Sequence, residues 1–265
     1  MKLENFIKKI PIAEYDVLPA LRSTSLKQFI QSPRHFKYAQ SDEARAANNN
    51  KSHFILGRLV HAALLEPATV RDEFMVVEAG TRNAKAYTEA VKLHPDKGIV
   101  LAHELAQANE MVAAINELPQ IRDIIAGCEP EISAAAMISG VFCKCRTDLL
   151  GKADNHIYDL KTTSESAKNF PFVMGKFGYD VSSAFYIDVL LANDLDVSGY
   201  TFIVAEKEPP YGVMLYEVTA EYLDYGRSKY LPALEKYKEC LKSGVYPSYD
   251  LTPVQLVPPN FKGNK

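Results

Sequence analysis

The stretch from 131 to 163 carries carboxylates and a lysine at spacings suited to metal-assisted chemistry. In IYDLKTT, the two-residue alternation of a strand puts Ile157, Asp159 and Lys161 on one face and Tyr158, Leu160 and Thr162 on the other. In the preceding run, VFCKCRTDLL, Lys144, Arg146 and Asp148 share a face opposite Val141, Cys143, Cys145 and Thr147. Antiparallel neighbours bring Asp148 across from Asp159 where register allows, and Glu131, at the entrance to the strand before, adds a third carboxylate. Converging carboxylates raise one another's pKa unless a hard cation neutralises them, and Mg²⁺ or Mn²⁺ favours such oxygen ligands. A lysine two residues beyond the bridging aspartate can hold or deprotonate a water, or stabilise charge on a phosphate. That is the equipment of phosphodiester hydrolysis. Alternation alone also admits ordinary salt bridges on edge strands, since an Asp-x-Lys triplet carries little information. Against that stand the aliphatic opposite faces and the central place of both strands, where unpaired charge is costly.

The elements that must position these residues follow from periodicity. Apolar spacing of three and four predicts helices over 24–31, 54–66 and 101–118, with Pro67 and Pro119 stopping the latter two. From 131 the period changes to two: EISAAAMI, the turn Ser139-Gly140, VFCKCRTDLL, the polar turn KADNH and IYDLKTT form an antiparallel meander. Helices are expected at 165–175 and 180–193, then strands TFIVAEK and GVMLYEVT around the turn EPPY, then a helix from about 220 to 243. This order describes an α/β (α+β) layer fold with a mixed sheet. The polar cluster AANNNKS at 46–52 is expected to be an exposed loop.

The chain has 265 residues, a net charge of −3 and a pI near 6.1, so a polyanion partner must be gripped by a local patch. No apolar run approaches the ~20 residues of a membrane span, and MKLENFIKKIPIAEYD lacks the apolar core of a signal peptide, which predicts a cytoplasmic protein with no membrane partner. Four cysteines, at 128, 143, 145 and 240, are expected to be small buried hydrophobes in a reducing compartment.

CRTDLL and YDLKTT, the second aspartate eleven positions after the first, resemble the PD-(D/E)xK nuclease motif, Thr147 standing where its proline usually stands. LGRLVHAALLEP, FMVVEAGTRNAKAY, CKCRTDLL, YDLKTTSES and YDVSSAFYIDVL occur in the order of the exodeoxyribonuclease VIII (RecE-type) nuclease domain. STSLKQFIQSPRHFKY is similar to the opening helix of the wider RecB-like branch, and the likeness runs from about 15 to 250.

The resemblance implies a PD-(D/E)xK core, a mixed central sheet flanked by helices, in a single nuclease domain over 1–265. Its helical front part spans 15–125, its catalytic sheet core 126–250 and its tail 251–265. It implies Asp148 and Asp159 as metal ligands with the Leu160 carbonyl, His61 near the metals, Glu131 as the acidic residue before the hairpin with Glu129 as competitor, and Lys161 as catalytic lysine. Thr162 would help shape the site or hold a phosphate. Relatives carry a glutamine four residues before a tyrosine on the next helix; here the tyrosine is Tyr186 and the glutamine position is Ser182, which reaches less far. Candidate phosphate contacts are Arg82, Lys85, Arg146, Lys168 and Lys176, and Phe172, Phe177 and Tyr179 are among the aromatics that could stack a base. Ser32 stands where cluster-bearing relatives have cysteine, so no iron–sulfur cluster is expected. The implied activity is Mg²⁺-dependent (Mn²⁺ substituting) exonucleolytic degradation of linear double-stranded DNA, 5′ to 3′. It would leave 3′ single strands for a single-strand annealing protein, the enzyme acting as a homo-oligomer or ring in phage-type recombination. An inactive DNA-binding or assembly protein and an endonuclease of the same core are the alternatives.

Overall fold

Three antiparallel hairpins and one parallel crossover build the sheet around the charged stretch. The computed structural model describes residues 4–41, 44, 52–253 and 255. In chain order its front half contains β1 (Phe6–Lys9), α1 (Ile12–Val17), β2 (Leu21–Arg22), α2 (Ser23–Gln31), α3 (Pro33–Ala39), α4 (Ser52–Leu65), α5 (Val70–Glu73), β3 (Phe74–Val77), α6 (Lys85–Leu93), β4 (Gly98–Leu101), α7 (Ala102–Glu117) and α8 (Pro119–Gly127). There follow β5 (Cys128–Ile138), β6 (Val141–Gly151), β7 (Ile157–Thr163), α9 (Phe170–Phe177), α10 (Tyr179–Leu191), β8 (Tyr200–Glu206), β9 (Val213–Glu217) and α11 (Ala220–Ser243).

The β5–β6 hairpin turns on Ser139 and Gly140, both at positive φ (47° and 78°), with Ile138 paired to Val141. Two left-handed residues in a two-residue loop match the right-handed twist of the strands. The main sheet runs β1-β5-β6-β7-β8-β9, with β2 alongside β6. β7 and β8 are parallel, so the chain must cross over between them, and α9 and α10 are that crossover. The other pairs along this path are antiparallel, and β2 joins β6 in parallel. The sheet is therefore mixed, as the element order requires.

Helices cover both faces. Ala134, Cys143, Cys145, Ile157 and Phe202 pack with Leu26 and Phe29 of α2, Ala184 and Phe185 of α10, and Tyr230 and Leu234 of α11. Leu149, Leu160 and Ile203 pack on the other side with Leu59 of α4, Met111 and Ile115 of α7, and Ile121 of α8. All four cysteines are buried free thiols. Among the described residues no helix is long and apolar enough to cross a membrane.

The front part is less purely helical than its spacing suggests, because β1 and β2 extend the main sheet and β3 and β4 pair separately. Each of these strands has four residues or fewer, too short for a period to register. The expected opening helix is two: the chain extends at Ser32, whose Oγ accepts from the His35 amide at 3.2 Å, and Pro33 opens α3. Pro119 likewise ends one helix and begins another. Most of the polar cluster at 46–52 and of the tail at 251–265 lies outside the described residues.

Candidate active site

The site forms where the sheet loses its regular pairing. On one side of β6 the ladder pairs Pro130 with Leu149 and Ile132 with Thr147, leaving Glu131 and Asp148 opposite each other between these pairs. Glu131 is left-handed there (φ 59°), which turns its carboxylate out of the regular pleat. On the other side Leu149 pairs with Tyr158 and Leu150 with Ile157, so one further step sets Asp148 opposite Asp159. In place of that next backbone pairing, Asp148 Oδ2 accepts from the Leu160 amide at 2.8 Å. The opposite end of β6 pairs with β2 through Cys143 and Lys144. β6 and β7 thus diverge at Asp148, which has a carboxylate on either side.

Two further elements deliver the remaining groups. The helix α4 brings His61 Nδ1 to 3.5 Å from Asp148 Oδ2, and ligand atoms of His61, Glu131 and Asp148 all lie within 4.8 Å of one another. On β7, Lys161 pairs with Asp159 and also donates to the Leu160 carbonyl at 3.3 Å. Arg146 pairs with Glu131, lies 3.6 Å from Glu66 and donates to the Ile10 carbonyl at 2.7 Å. These groups open on a groove of about 670 Å³ lined by His61, Glu66, Glu131, Arg146, Leu160 and Lys161, with Arg58, Lys176 and Lys207 among its cations.

The electrostatics are those of a cation site. Burial, and then the neighbouring Asp159, push the Asp148 carboxyl up to about 8. Glu131 is raised by burial and by Asp148, against the pull of Arg146. Burial and then Lys161 lower His61 to about 4, so the imidazole is neutral and offers a lone pair. Burial opposes the charge on Lys161, but Asp159 and Asp148 together outweigh it and hold the ammonium protonated. Asp159 is 4% exposed, and its buried Oδ2 is paired with the Lys161 ammonium. Converging carboxyls with raised pKa fit a divalent cation, to which a neutral imidazole can add a nitrogen ligand.

Of the residues singled out in the sequence, His61, Glu131, Arg146, Asp148, Asp159, Leu160 and Lys161 come together here, and Thr162 lines the groove. Glu129 is exposed and paired regularly with Leu150. Arg82 lies elsewhere: it binds Glu104 at 2.6 Å and packs on the Tyr87 ring, while Lys85 pairs with Glu89 at 88% side-chain exposure. A neighbouring carboxylate thus takes each charge, and neither residue lines the groove. Lys144 does not join Asp148 either, because the chain end covers its part of β6 and takes its ammonium at the carbonyls of Tyr15 (2.6 Å), Asp16 (3.1 Å) and Leu18 (2.9 Å). Ser182 is buried under Lys27, and Tyr186 packs into the core beneath the site. Phe177 and Tyr179, singled out as aromatics, line the groove, and Arg58, Glu66 and Lys207 are groove residues that the sequence did not mark, although Glu66 lies in the segment LGRLVHAALLEP.

Comparison with known proteins agrees with this fold. Residues 23–250 match the model of the PDDEXK-like domain of unknown function DUF3799. The comparison with curated proteins gives no match. Among solved structures, the chain is similar to a protein from Eubacterium rectale, provisionally assigned as an exonuclease, at 15% identity and a TM-score of 0.62, covering 94% of this chain and 96% of that one. A phage-related exonuclease from Haemophilus somnus 129PT matches at 12% identity over 85% of this chain and 96% of its own, with a TM-score of 0.36, too low to carry an argument. With its mixed sheet, its flanking helices and its paired aspartates and lysine on adjacent strands, the chain belongs to the PDDEXK-like DUF3799 family.

Proposed function

We propose that this protein is a divalent-metal-dependent exodeoxyribonuclease of the RecE type. It removes nucleotides from the ends of linear double-stranded DNA, 5′ to 3′, and leaves 3′ single strands for a single-strand annealing protein. The observation that carries this reading is the placing of Asp148 between Glu131 and Asp159, with His61 and Lys161 at the mouth of one groove.

Glu131, Asp148, Asp159, His61 and the Leu160 carbonyl are the groups that would hold Mg²⁺ or Mn²⁺, which supplies Lewis acidity toward a phosphoryl oxygen and acidifies a bound water. Lys161, protonated beside Asp159, stabilises negative charge gathering on the scissile phosphate. Arg146 holds Glu131 in place from the groove wall and is itself fixed by the Ile10 carbonyl. Arg58, Lys176 and Lys207 have no ion-pair partner among the described residues and are placed to receive flanking phosphates. No side chain has to act as a covalent nucleophile.

The test uses end-labelled linear duplex and covalently closed circular duplex, with Mg²⁺ or with a chelator. Loss of the linear form alone, only with metal, is expected; loss of both forms points to an endonuclease, and loss of neither rejects the enzyme. We further propose a ring-shaped homo-oligomer, which encloses DNA that a weakly acidic chain attracts poorly. A monomeric mass by light scattering, with degradation that stops once competitor DNA is added, would reject it.

A further inference from the structure

The N-terminal helix α2 sends one lysine to the rim of this site. Lys27 Nζ donates to the Phe177 carbonyl at 3.1 Å and to Ser182 Oγ at 3.0 Å. Its stem lies flat on Gly178, where a Cβ would stand 2.7 Å from Lys27 Cδ and 3.2 Å from Cγ. Gly178 is left-handed (φ 62°) and is at once the cap ending α9 and the cap starting α10. The Lys27 ammonium is 5.8 Å from the centre of the Tyr179 ring, and the Lys161 ammonium is 5.5 Å from the centre of the same ring. One residue from α2 therefore touches the corner at 177, 178, 179 and 182, and that corner supplies Phe177 and Tyr179 to the groove wall.

Lys27 has no ion pair among the described residues. A cation held half-buried by two neutral acceptors is a costly way to join two helices, since an apolar side chain would do so without desolvating a charge. Burial, and then the charge of Lys161, lower its pKa to about 8, in keeping with that cost. Ser182 explains how the ammonium fits. A longer side chain at 182 would occupy the space that Nζ fills.

We infer that Lys27 is a positioning residue for Lys161: by clamping the corner from Phe177 to Ser182 it fixes the Tyr179 ring against the Lys161 ammonium. The inference rests on the nuclease reading of the site. A tilted or displaced ring would take away the wall over the Lys161 ammonium, leaving Asp159 and the Leu160 carbonyl to hold it from one side only, while the carboxylates on β5, β6 and β7 stayed in place.

The experiment measures steady-state cleavage of linear duplex in Mg²⁺ by the whole chain and by Lys27→Met, Lys27→Arg and Ser182→Ala, beside metal affinity by calorimetry and melting temperature. Lys27→Met is expected to lower kcat on the order of tenfold to a hundredfold, as small misplacements of reacting groups do, with KM within about twofold and metal affinity unchanged. Lys27→Arg is expected to recover most of kcat, because a guanidinium can donate to both acceptors. An unchanged kcat in Lys27→Met, or a loss that Lys27→Arg shares in full, overturns the assignment. Should Lys27→Met fail to fold, Ser182→Ala decides: a fall in kcat of about threefold supports the clamp and an unchanged kcat overturns it. A natural chain that cleaves no DNA removes the nuclease reading and this inference with it. A fully active Lys27→Met removes this inference alone.

Discussion

Asp148 and Leu160 are joined across the gap between β6 and β7, the aspartate Oδ2 accepting from the leucine amide at 2.8 Å. A side chain here replaces a rung of the backbone ladder. The same contact fixes the Asp148 carboxylate and sets the backbone on either side of Leu160, where Asp159 and Lys161 branch. Asp148 and Lys161 are thereby tied to one another through Leu160.

Asp159→Ala and Asp148→Ala are each expected to abolish metal-dependent cleavage. Asp159→Ala relieves repulsion with Asp148 but takes the ion-pair partner from the Lys161 ammonium, two effects of opposite sign on stability. Asp148→Ala leaves the Leu160 amide unpaired, at an expected cost of about 1–3 kcal/mol of stability. Metal titration by calorimetry checks both. Undiminished Mg²⁺ or Mn²⁺ binding in Asp159→Ala would remove it from the ligand set.

Lys161→Ala is expected to lower the cleavage rate by a factor on the order of 10² or more with the metal affinity retained. Lys161→Arg should recover only part of the rate, because a planar guanidinium cannot repeat the compact contact with Asp159 and the Leu160 carbonyl. Rates at saturating metal and DNA decide this, and a normal rate in Lys161→Ala would place the lysine outside the chemistry.

Stability of the metal-free protein should depend on pH through the same cluster. The Asp148 carboxyl, ordinarily at 3.8, stands at about 8, so the folded state binds its proton more tightly and stability falls as pH rises between these values. His61 moves the other way, from 6.5 to about 4, and adds stability as pH rises through that lower range. Glu131, also raised, acts in the same sense as Asp148. Above the ordinary histidine value of 6.5 His61 no longer opposes the carboxyls, so in chelator the melting temperature is expected to fall from there towards pH 8. Added Mg²⁺ or Mn²⁺, or Asp148→Asn, should flatten that fall. A melting temperature that is level or rising over this range in chelator would contradict the charge assignment.

Gly226→Ala should destabilise the packing that backs the site. A Cβ at 226 would stand 2.1 Å from the Asp180 carbonyl oxygen, which is backbone and cannot swing aside. Asp180 is itself anchored by Lys229 at 2.5 Å, so α10 and α11 would have to separate. A cost of roughly 1–3 kcal/mol is expected, lowering the melting temperature by several degrees. An unchanged melt would mean that the two helices pack more loosely than this contact implies.

What the sequence by itself determined is the part that depends on local period and on alternation. The run 131–163 keeps a two-residue period long enough to define two hairpins, and once the turn at Ser139 and Gly140 sets the register, Glu131, Asp148 and Asp159 fall into one row. The helices from 24, from 101 and from 220 were legible for the same reason, as was the mixed sheet that their order demands. Only the tertiary structure decided between Glu129 and Glu131, because the choice depends on which residue takes the left-handed conformation where the ladder opens. Only it withdrew Arg82 and Lys85 from the site: Arg82 is taken by Glu104, twenty-two residues away, and Lys85 points into solvent beside Glu89 on its own helix. The groove cations Arg58 and Lys207, and Lys27 beneath the corner at Gly178, lie on α4, just beyond β8 and on α2. Periodicity says which face of an element is buried, not which distant element covers it, and long-range packing supplies that second fact.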